Sequence, residues 1–517
     1  MNNINMIMAQ FCRYLKESDK RIMAVLFVFI FILFIPYFSE NRWRLVMDEA
    51  IFIFQGYQIA DGNIFYRDTL MDKPPGLPYT FALFFYIFGK HVFVARILTA
   101  IIAATTSIVV FKVGEKIYSR TTGFFSAAFY GFISAHPAIG AIGWSLPETY
   151  MNLFVALGFL YFVNYIQMED RKVLNLLLSG FFIGVSFLMK QPGLMTLFPI
   201  AAIILLQHGL KKKLKRKILH ILIISLGMFL ALLPAALYFW YYGVLDELLR
   251  WSITVWWEMD RSPSVYDKVM KFYWVSLRLA FFSSLFCVGF FLAAMRIVHV
   301  YGKKPFRFIK NIYSNFHKRL WDFFIMLWLG FFLIFIARAP DMYSHYLLQF
   351  VLPATFFAGK ASDEIYHSFK SKQNIFRDSN IFETAVIIII IFLAVMNFGD
   401  YVDKPILTVR EPNREIADYI KAHTNESDMI YTFAGPQIYI YSERKPASKY
   451  FILMMGYSPL DYIPKEIQKD IEKNRPKYII PNSIYTRPRY NQTLTYIYQH
   501  YHLEITINNM DLYRINE

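Results

Sequence analysis

The sequence predicts a polytopic α-helical membrane protein with a small α/β domain at its C-terminal end, on three observations. Apolar residues arrive in blocks of about 20, the length needed to cross a bilayer, and hydrophobic residues make up 56% and aromatics 19% of the 517 residues. Lys and Arg fall in short runs between these blocks, as they do in cytoplasmic loops. After about residue 400 the long blocks stop, and charges, Pro and Asn take their place.

The elements follow in order. Residues 1–21 are polar and end in Lys20-Arg21, and Ile22–Phe38 is apolar with no small-residue cleavage site after it, which predicts a retained signal anchor. Further apolar spans fall at 91–111, 121–141, 148–166, 173–190, 192–208, 218–242, 275–299, 321–338, 346–364 and 384–399. The total is about eleven transmembrane helices by the length criterion. Leu77–Gly89 is apolar but only about half a membrane thick, so it is expected to form an interfacial or re-entrant helix beside the loop that precedes it.

Alternation fixes the expected orientation. With the N-terminus inside, Lys112, Lys116 and Arg120, Arg171-Lys172, the basic runs at 211–217 and 303–310, Lys318-Arg319, and Lys370, Lys372 and Arg377 all fall on the cytoplasmic side. The same count places loop 39–76, the turns Trp144–Glu148, Lys190–Gly193 and Ala339–His345, loop 244–274 and everything after 400 outside. The expected organisation is a cytoplasmic tail at 1–21, a transmembrane domain at 22–399 and an extracytoplasmic domain at 400–517, multi-pass in the cytoplasmic (inner) membrane. In the outer domain, Glu411–Ala422 has helical spacing, Met429–Phe433 and Lys477–Ile480 read as short buried strands, and His502–Tyr513 alternates as a hairpin does.

Composition excludes several functions. The net charge of +16 resides in the loop runs, with no basic-aromatic surface for nucleic acid. Cys12 and Cys287 are the only cysteines, too few for a disulfide framework or a thiolate metal cluster. No GxGxxG or P-loop pattern is present, so a nucleotide-binding loop is not expected.

The chemistry is expected in the first outer loop. Between Met47 and Gly76 the chain reads MDEAIFIFQGYQIADGNIFYRDTLMDKPPG, and Asp48, Glu49, Asp61, Asp68 and Asp72, with Glu40 just before, crowd a segment where a plain connector would be short and bland. Asp48-Glu49, Gly56 and Gly62, Tyr66-x-Asp68, Lys73-Pro-Pro-Gly76 and Arg96 together resemble the protein O-mannosyltransferase superfamily and the related lipid A aminoarabinose transferases, which are GT-C class membrane glycosyltransferases. The resemblance is strongest over 47–96 and continues weakly to about 365; Phe433-Ala-Gly-Pro436 and Arg444-Lys-Pro-Ala447 also look like the outer domain of bacterial members.

The resemblance implies a GT-C fold and an inverting hexosyl or pentosyl transferase. It would move a sugar from a polyprenyl-phosphate donor to an extracytoplasmic acceptor that is a glycan, a lipid or a protein. Asp48 is then the expected base, because an acceptor hydroxyl is a poor nucleophile unless a carboxylate takes its proton, and Glu49 its helper. Lys73, Arg96 and Lys190 are the expected ligands of the donor phosphate, whose charge grows as it leaves. Glu148 matches a position where the family often carries an acid. No cofactor is certain; by likeness to the lipid A transferases, Asp72 and His345 would help hold a divalent ion.

Each residue also has a plainer reading. Asp48, Glu49 and Glu148 suit helix N-termini, Lys73-Pro-Pro-Gly76 is a rigid turn, Lys73, Arg96 and Lys190 are placed to snorkel, and His345 suits a hydrogen-bonded interfacial site. His136-Pro137 is expected to cap a span. Trp240, Tyr241, Tyr242, Trp251, Trp256 and Trp257 read as an interfacial belt, with sugar stacking at Trp256-Trp257 the lesser alternative. A transporter or lipid flippase, and an oligosaccharide ligase or polymerase, are the rival functions. Against transport, the charges gather on the outer side and no internal repeat is visible.

Overall fold

The computed structural model describes residues 19–38, 44–135, 145–168, 171–206, 214–255, 320–332, 334–335, 344–370, 411–453 and 460–516. The helices of the bundle are α1 Asp19–Phe34, α2 Met47–Ala60, α3 Gly76–Phe88, α4 Val92–Ile117, α5 Arg120–Ser134, α6 Pro147–Gln167, α7 Lys172–Met189, α8 Leu197–Leu206, α9 Leu214–Tyr241, the short α10 Leu245–Leu249, α11 Leu320–Phe332 and α12 Leu347–Lys370. Four of them, α4, α6, α7 and α9, are long and apolar enough to cross a membrane. Helix α6 packs along α7, α7 along α9, α4 along α5, and α5 along α12.

Most of the expected spans coincide with helices. Within the block 192–208, Gln191–Thr196 winds as a 3-10 helix before α8 begins, and the residues just past Leu206 lie outside the described ones. Pro192 lacks the amide that an α-turn continuing from α7 would use. The expected spans 275–299 and 384–399, together with Glu40, His136-Pro137 and Trp256-Trp257, lie outside the described residues. Leu77–Gly89 does form a separate helix, α3, which packs along α2 and leaves Leu83, Tyr86, Ile87 and Phe88 exposed. Trp240 and Tyr241 are exposed as a belt requires. Trp251 is instead fully buried and donates to Glu247 Oε2 at 2.6 Å, so it belongs to the packing of the protein interior.

The C-terminal part is an α/β module. Helix α13 Pro412–Ala422 precedes β1 Met429–Thr432; then come α14 Gln437–Ser442, β2 Lys445–Pro446, α15 Tyr462–Asn474, β3 Tyr478–Ile480, α16 Asn491–His500, β4 Tyr501–Ile507 and β5 Met510–Ile515. The five-stranded sheet has the order β2-β1-β3-β5-β4; β1 runs parallel to β2 and β3, and β5 antiparallel to β3 and β4. Ile507 pairs with Met510 across Asn508-Asn509, both at positive φ, the backbone that a two-residue hairpin turn demands and that Asn tolerates.

This module is seated on the start of the bundle. The Phe54 ring of α2 stacks on Tyr439 of α14 with centroids 5.0 Å apart and meets Phe451, and Gln437 Nε2 donates to the Leu45 carbonyl at 3.3 Å. The Leu70 amide donates to the Lys449 carbonyl at 3.2 Å, tying the first loop to the module.

Candidate active site at one end of the bundle

Helix α2 starts after an extended Val46 and carries both acids in its first turn, where the helix dipole favours negative charge. The two acids are then used differently. Glu49 is buried and takes the Arg96 guanidinium in a bidentate pair, Nε to Oε1 at 3.0 Å and Nη2 to Oε2 at 2.7 Å. Arg96 is buried too and also donates to the Tyr37 and Arg44 carbonyls. Asp48, one residue earlier, points to another side. Burial and the nearby Glu148 carboxylate push its carboxyl up to about 6; Lys190 and Lys73 pull against this shift, and Asp72 adds to it.

The loop after α2 is shaped by local bonds. Asp68 accepts from the Ile64 amide at 2.8 Å and binds the Arg67 guanidinium through both oxygens, while Asp61 pairs with Lys90. Tyr66 is left-handed, at φ 70°, and buried; its hydroxyl donates to the Lys73 carbonyl at 2.8 Å and lies 2.9 Å from Ser252 Oγ. Lys73 pairs with Asp72 at 3.2 Å. Gly76 then opens α3 against the end of α7: a Cβ there would stand 2.5 Å from the Leu188 carbonyl oxygen, so only glycine admits this approach. The approach brings the Lys73 turn next to the segment that carries Lys190.

Helices α6 and α7 complete the cluster. Pro147 at the first position of α6 and Glu148 in its first turn suit a helix N-terminus. Lys190 is extended and ends α7. Its ammonium binds Glu148 and lies 4.3 Å from the centre of the Tyr346 ring, a cation–π distance. His345, in the 3-10 turn Ser344–Tyr346 before α12, lies with Nε2 3.4 Å from the same Glu148 oxygen. Burial, first of all, and the two lysines push the imidazole down to about 4, against the pull of Glu148, so the ring is neutral at physiological pH.

Asp48, Asp72, Lys73, Glu148, Lys190 and His345 are thus gathered at one end of the bundle, while Glu49 and Arg96 are committed to each other. Asp72 and His345 face different partners, Lys73 and Glu148. Among the described residues, no group of three or more His, Cys, Asp and Glu side chains is arranged to hold a metal. Sequence reasoning took Glu148, Lys190 and His345 singly and not as one charge-paired group, and it passed over Ser252 and Gln191. Ser252 carries no local signal, being a lone hydroxyl in an aromatic stretch. The Lys190-Gln-Pro-Gly193 turn was a signal for Gln191.

Residues 72–239, about a third of the chain, match the family of dolichyl-phosphate-mannose-protein mannosyltransferases. No curated protein sequence matches. Among solved structures, ArnT from Cupriavidus metallidurans bound to undecaprenyl phosphate is similar over 95% of this chain and 97% of its own, with a TM-score of 0.59 and 14% identity. The archaeal oligosaccharyltransferase AglB from Archaeoglobus fulgidus, in complex with an inhibitory peptide and a dolichol-phosphate, is similar over 89% of this chain and 69% of its own, with a TM-score of 0.54 and 11% identity. At such identities the likeness is one of fold, and the chain is similar in fold, and over 72–239 in sequence, to the GT-C glycosyltransferases of the O-mannosyltransferase and aminoarabinose transferase type.

Proposed function

We propose that this protein is an integral membrane glycosyltransferase that moves a sugar from a polyprenyl-phosphate donor to an acceptor on the outer side of the cytoplasmic membrane, with inversion at the anomeric carbon. The observation that carries the reading is the Asp48 carboxylate, raised to about 6 among two lysines and two further acids at one end of a membrane bundle. The match to lipid-phosphate-dependent transferases over 72–239 and the whole-length likeness to ArnT, crystallised with undecaprenyl phosphate, support the choice of donor.

The reaction is a single displacement. Asp48 takes the proton of the acceptor hydroxyl as that oxygen attacks the anomeric carbon, and the bond from this carbon to the phosphate oxygen breaks. Polyprenyl phosphate leaves with one more negative charge, and Asp48 later gives its proton to water. A base works best with a pKa near the working pH, which the burial of Asp48 supplies. Lys73, the less buried of the two lysines, meets the phosphate; Lys190, held by Glu148 and Tyr346, adds fixed positive charge where little water competes. Glu49 and Arg96 hold α2 so that Asp48 is presented. The acceptor approaches from the outer domain, where a cleft of about 510 Å³ lined by Arg67, Asp68, Lys449, Glu466, Lys469 and Asp470 adjoins the loop. Its charged side chains can hydrogen-bond the hydroxyls of a sugar acceptor.

The test is mass spectrometry of surface glycans, lipids and proteins from cells with and without the chain, paired with transfer by the purified protein from polyprenyl-phosphate sugars. A sugar lost from one acceptor and restored by the native protein, but not by Asp48→Asn, is the expected result. Identical surfaces in both cells and no transfer in vitro would overturn the reading.

A further inference from the structure

Two uncommon backbone conformations meet at one hydroxyl, and a 3-10 turn is tied to them. Tyr66 is left-handed, at φ 70°, a conformation costly for an aromatic residue. Arg250–Thr254 is a π-helical turn, a rare element that occurs mostly at functional sites. Gln191–Thr196 is a 3-10 helix starting straight after the extended Lys190. One chain of bonds connects them: the Tyr66 hydroxyl donates to the Lys73 carbonyl at 2.8 Å and lies 2.9 Å from Ser252 Oγ, and the Ser252 carbonyl accepts from Gln191 Nε2 at 3.1 Å. Each end of this chain therefore sits on or beside one of the two lysines. The aromatic ring is locked as well, edge-on to Phe65 at 4.3 Å and to Phe239 at 5.4 Å.

Resting on the glycosyltransferase reading, we propose that Tyr66 is a positioning residue whose bridge through Ser252 to Gln191 sets the spacing of the Lys73 and Lys190 ammonium groups to that of one lipid phosphate. The bridge touches backbone at Lys73 and a side chain next to Lys190, so it moves both lysines without consuming the charge of either. A tyrosine held at positive φ, where glycine would sit without cost, is explained by a hydroxyl needed at that place and a ring that packs it there. Ser252, in a bulged turn, lends one oxygen from its side chain and one from its backbone, which an ordinary α-turn would keep for itself.

The experiment is a double-mutant cycle read as affinity for polyprenyl phosphate, with the full-length protein in vesicles. Tyr66→Phe keeps the ring and removes the bridge, and should weaken binding about five- to tenfold, one hydrogen bond's worth, with KM for the donor rising more than kcat falls. In the Lys73→Ala background the same substitution should change binding less than twofold. Ser252→Ala, which leaves the Tyr66–Lys73 bond intact, should give a smaller loss of the same kind. Equal losses for Tyr66→Phe with and without Lys73, or a loss of thermal stability with unchanged affinity, would overturn the bridge while leaving the glycosyltransferase reading standing. A native protein that binds no polyprenyl phosphate would overturn both.

Discussion

The Arg96 guanidinium grips the Glu49 carboxylate through two parallel bonds, 3.0 and 2.7 Å long, with both side chains out of reach of solvent. Removing one partner of such a pair strands the other charge in a poorly solvating place, typically at a cost of 3–5 kcal/mol. Arg96→Ala is therefore expected to lose about that much stability, seen as earlier thermal unfolding in detergent. Arg96→Ala that folds normally and loses only donor affinity would return Arg96 to the phosphate.

Asp48→Asn is expected to lower transfer by about 10²–10⁴, the usual worth of a general base, with polyprenyl phosphate still bound. Glu49→Gln should instead act through folding. Near-normal turnover in purified Asp48→Asn removes the base from the mechanism.

The raised Asp48 carboxyl makes two statements about pH. Because the base must be ionised, kcat/KM should climb as pH rises from 5 to 7 and bend near the Asp48 value of about 6. For stability the sign is opposite: the folded protein holds the proton more tightly than the unfolded chain, so folding loses free energy as pH rises from the ordinary carboxyl value of 3.8 through about 6. Asp48→Asn should thus be more stable than the native protein at pH 7, by up to about 3 kcal/mol, and no more stable below pH 4. Melting curves at the two pH values decide it.

Lys73→Ala should weaken polyprenyl phosphate binding by about 1.5–3 kcal/mol, a charged hydrogen bond's worth. Lys190→Ala should weaken binding and also destabilise the fold, since it leaves Glu148 buried beside a neutral His345 with no cation against it. Isothermal titration together with melting separates the two lysines; a Lys190 variant of native stability would contradict the pairing.

Gly76→Ala should damage donor binding through geometry alone. The added methyl would stand 2.5 Å from the Leu188 carbonyl oxygen and push the Lys73 turn off α7. Gly62→Ala has open space around it and is strained only by its positive φ, so it serves as the control. Equal donor affinity in the two variants would show that the contact at Gly76 is not needed.

Much of this protein is legible in its amino-acid order. Bilayer-length apolar blocks determine α4, α6, α7 and α9 because backbone polar groups in lipid must bond within their own segment. The polar, turn-rich tail determines an α/β module, and the density of acids after the first apolar block marks the segment that supplies Asp48, Asp72 and Lys73 to the charge cluster. What the order of residues could not decide is pairing. Asp48 and Glu49 are neighbours with like side chains, yet the helix turns one into a buried pair with Arg96 and leaves the other among Glu148, Asp72 and two lysines. Lys190, Glu148 and His345 lie far apart along the chain, and Ser252 follows none of their patterns. Only the packing of helix ends brings Lys190 and His345 onto Glu148, and Ser252 onto Tyr66, because electrostatic coupling and hydrogen bonding depend on distance in space, which sequence separation does not encode.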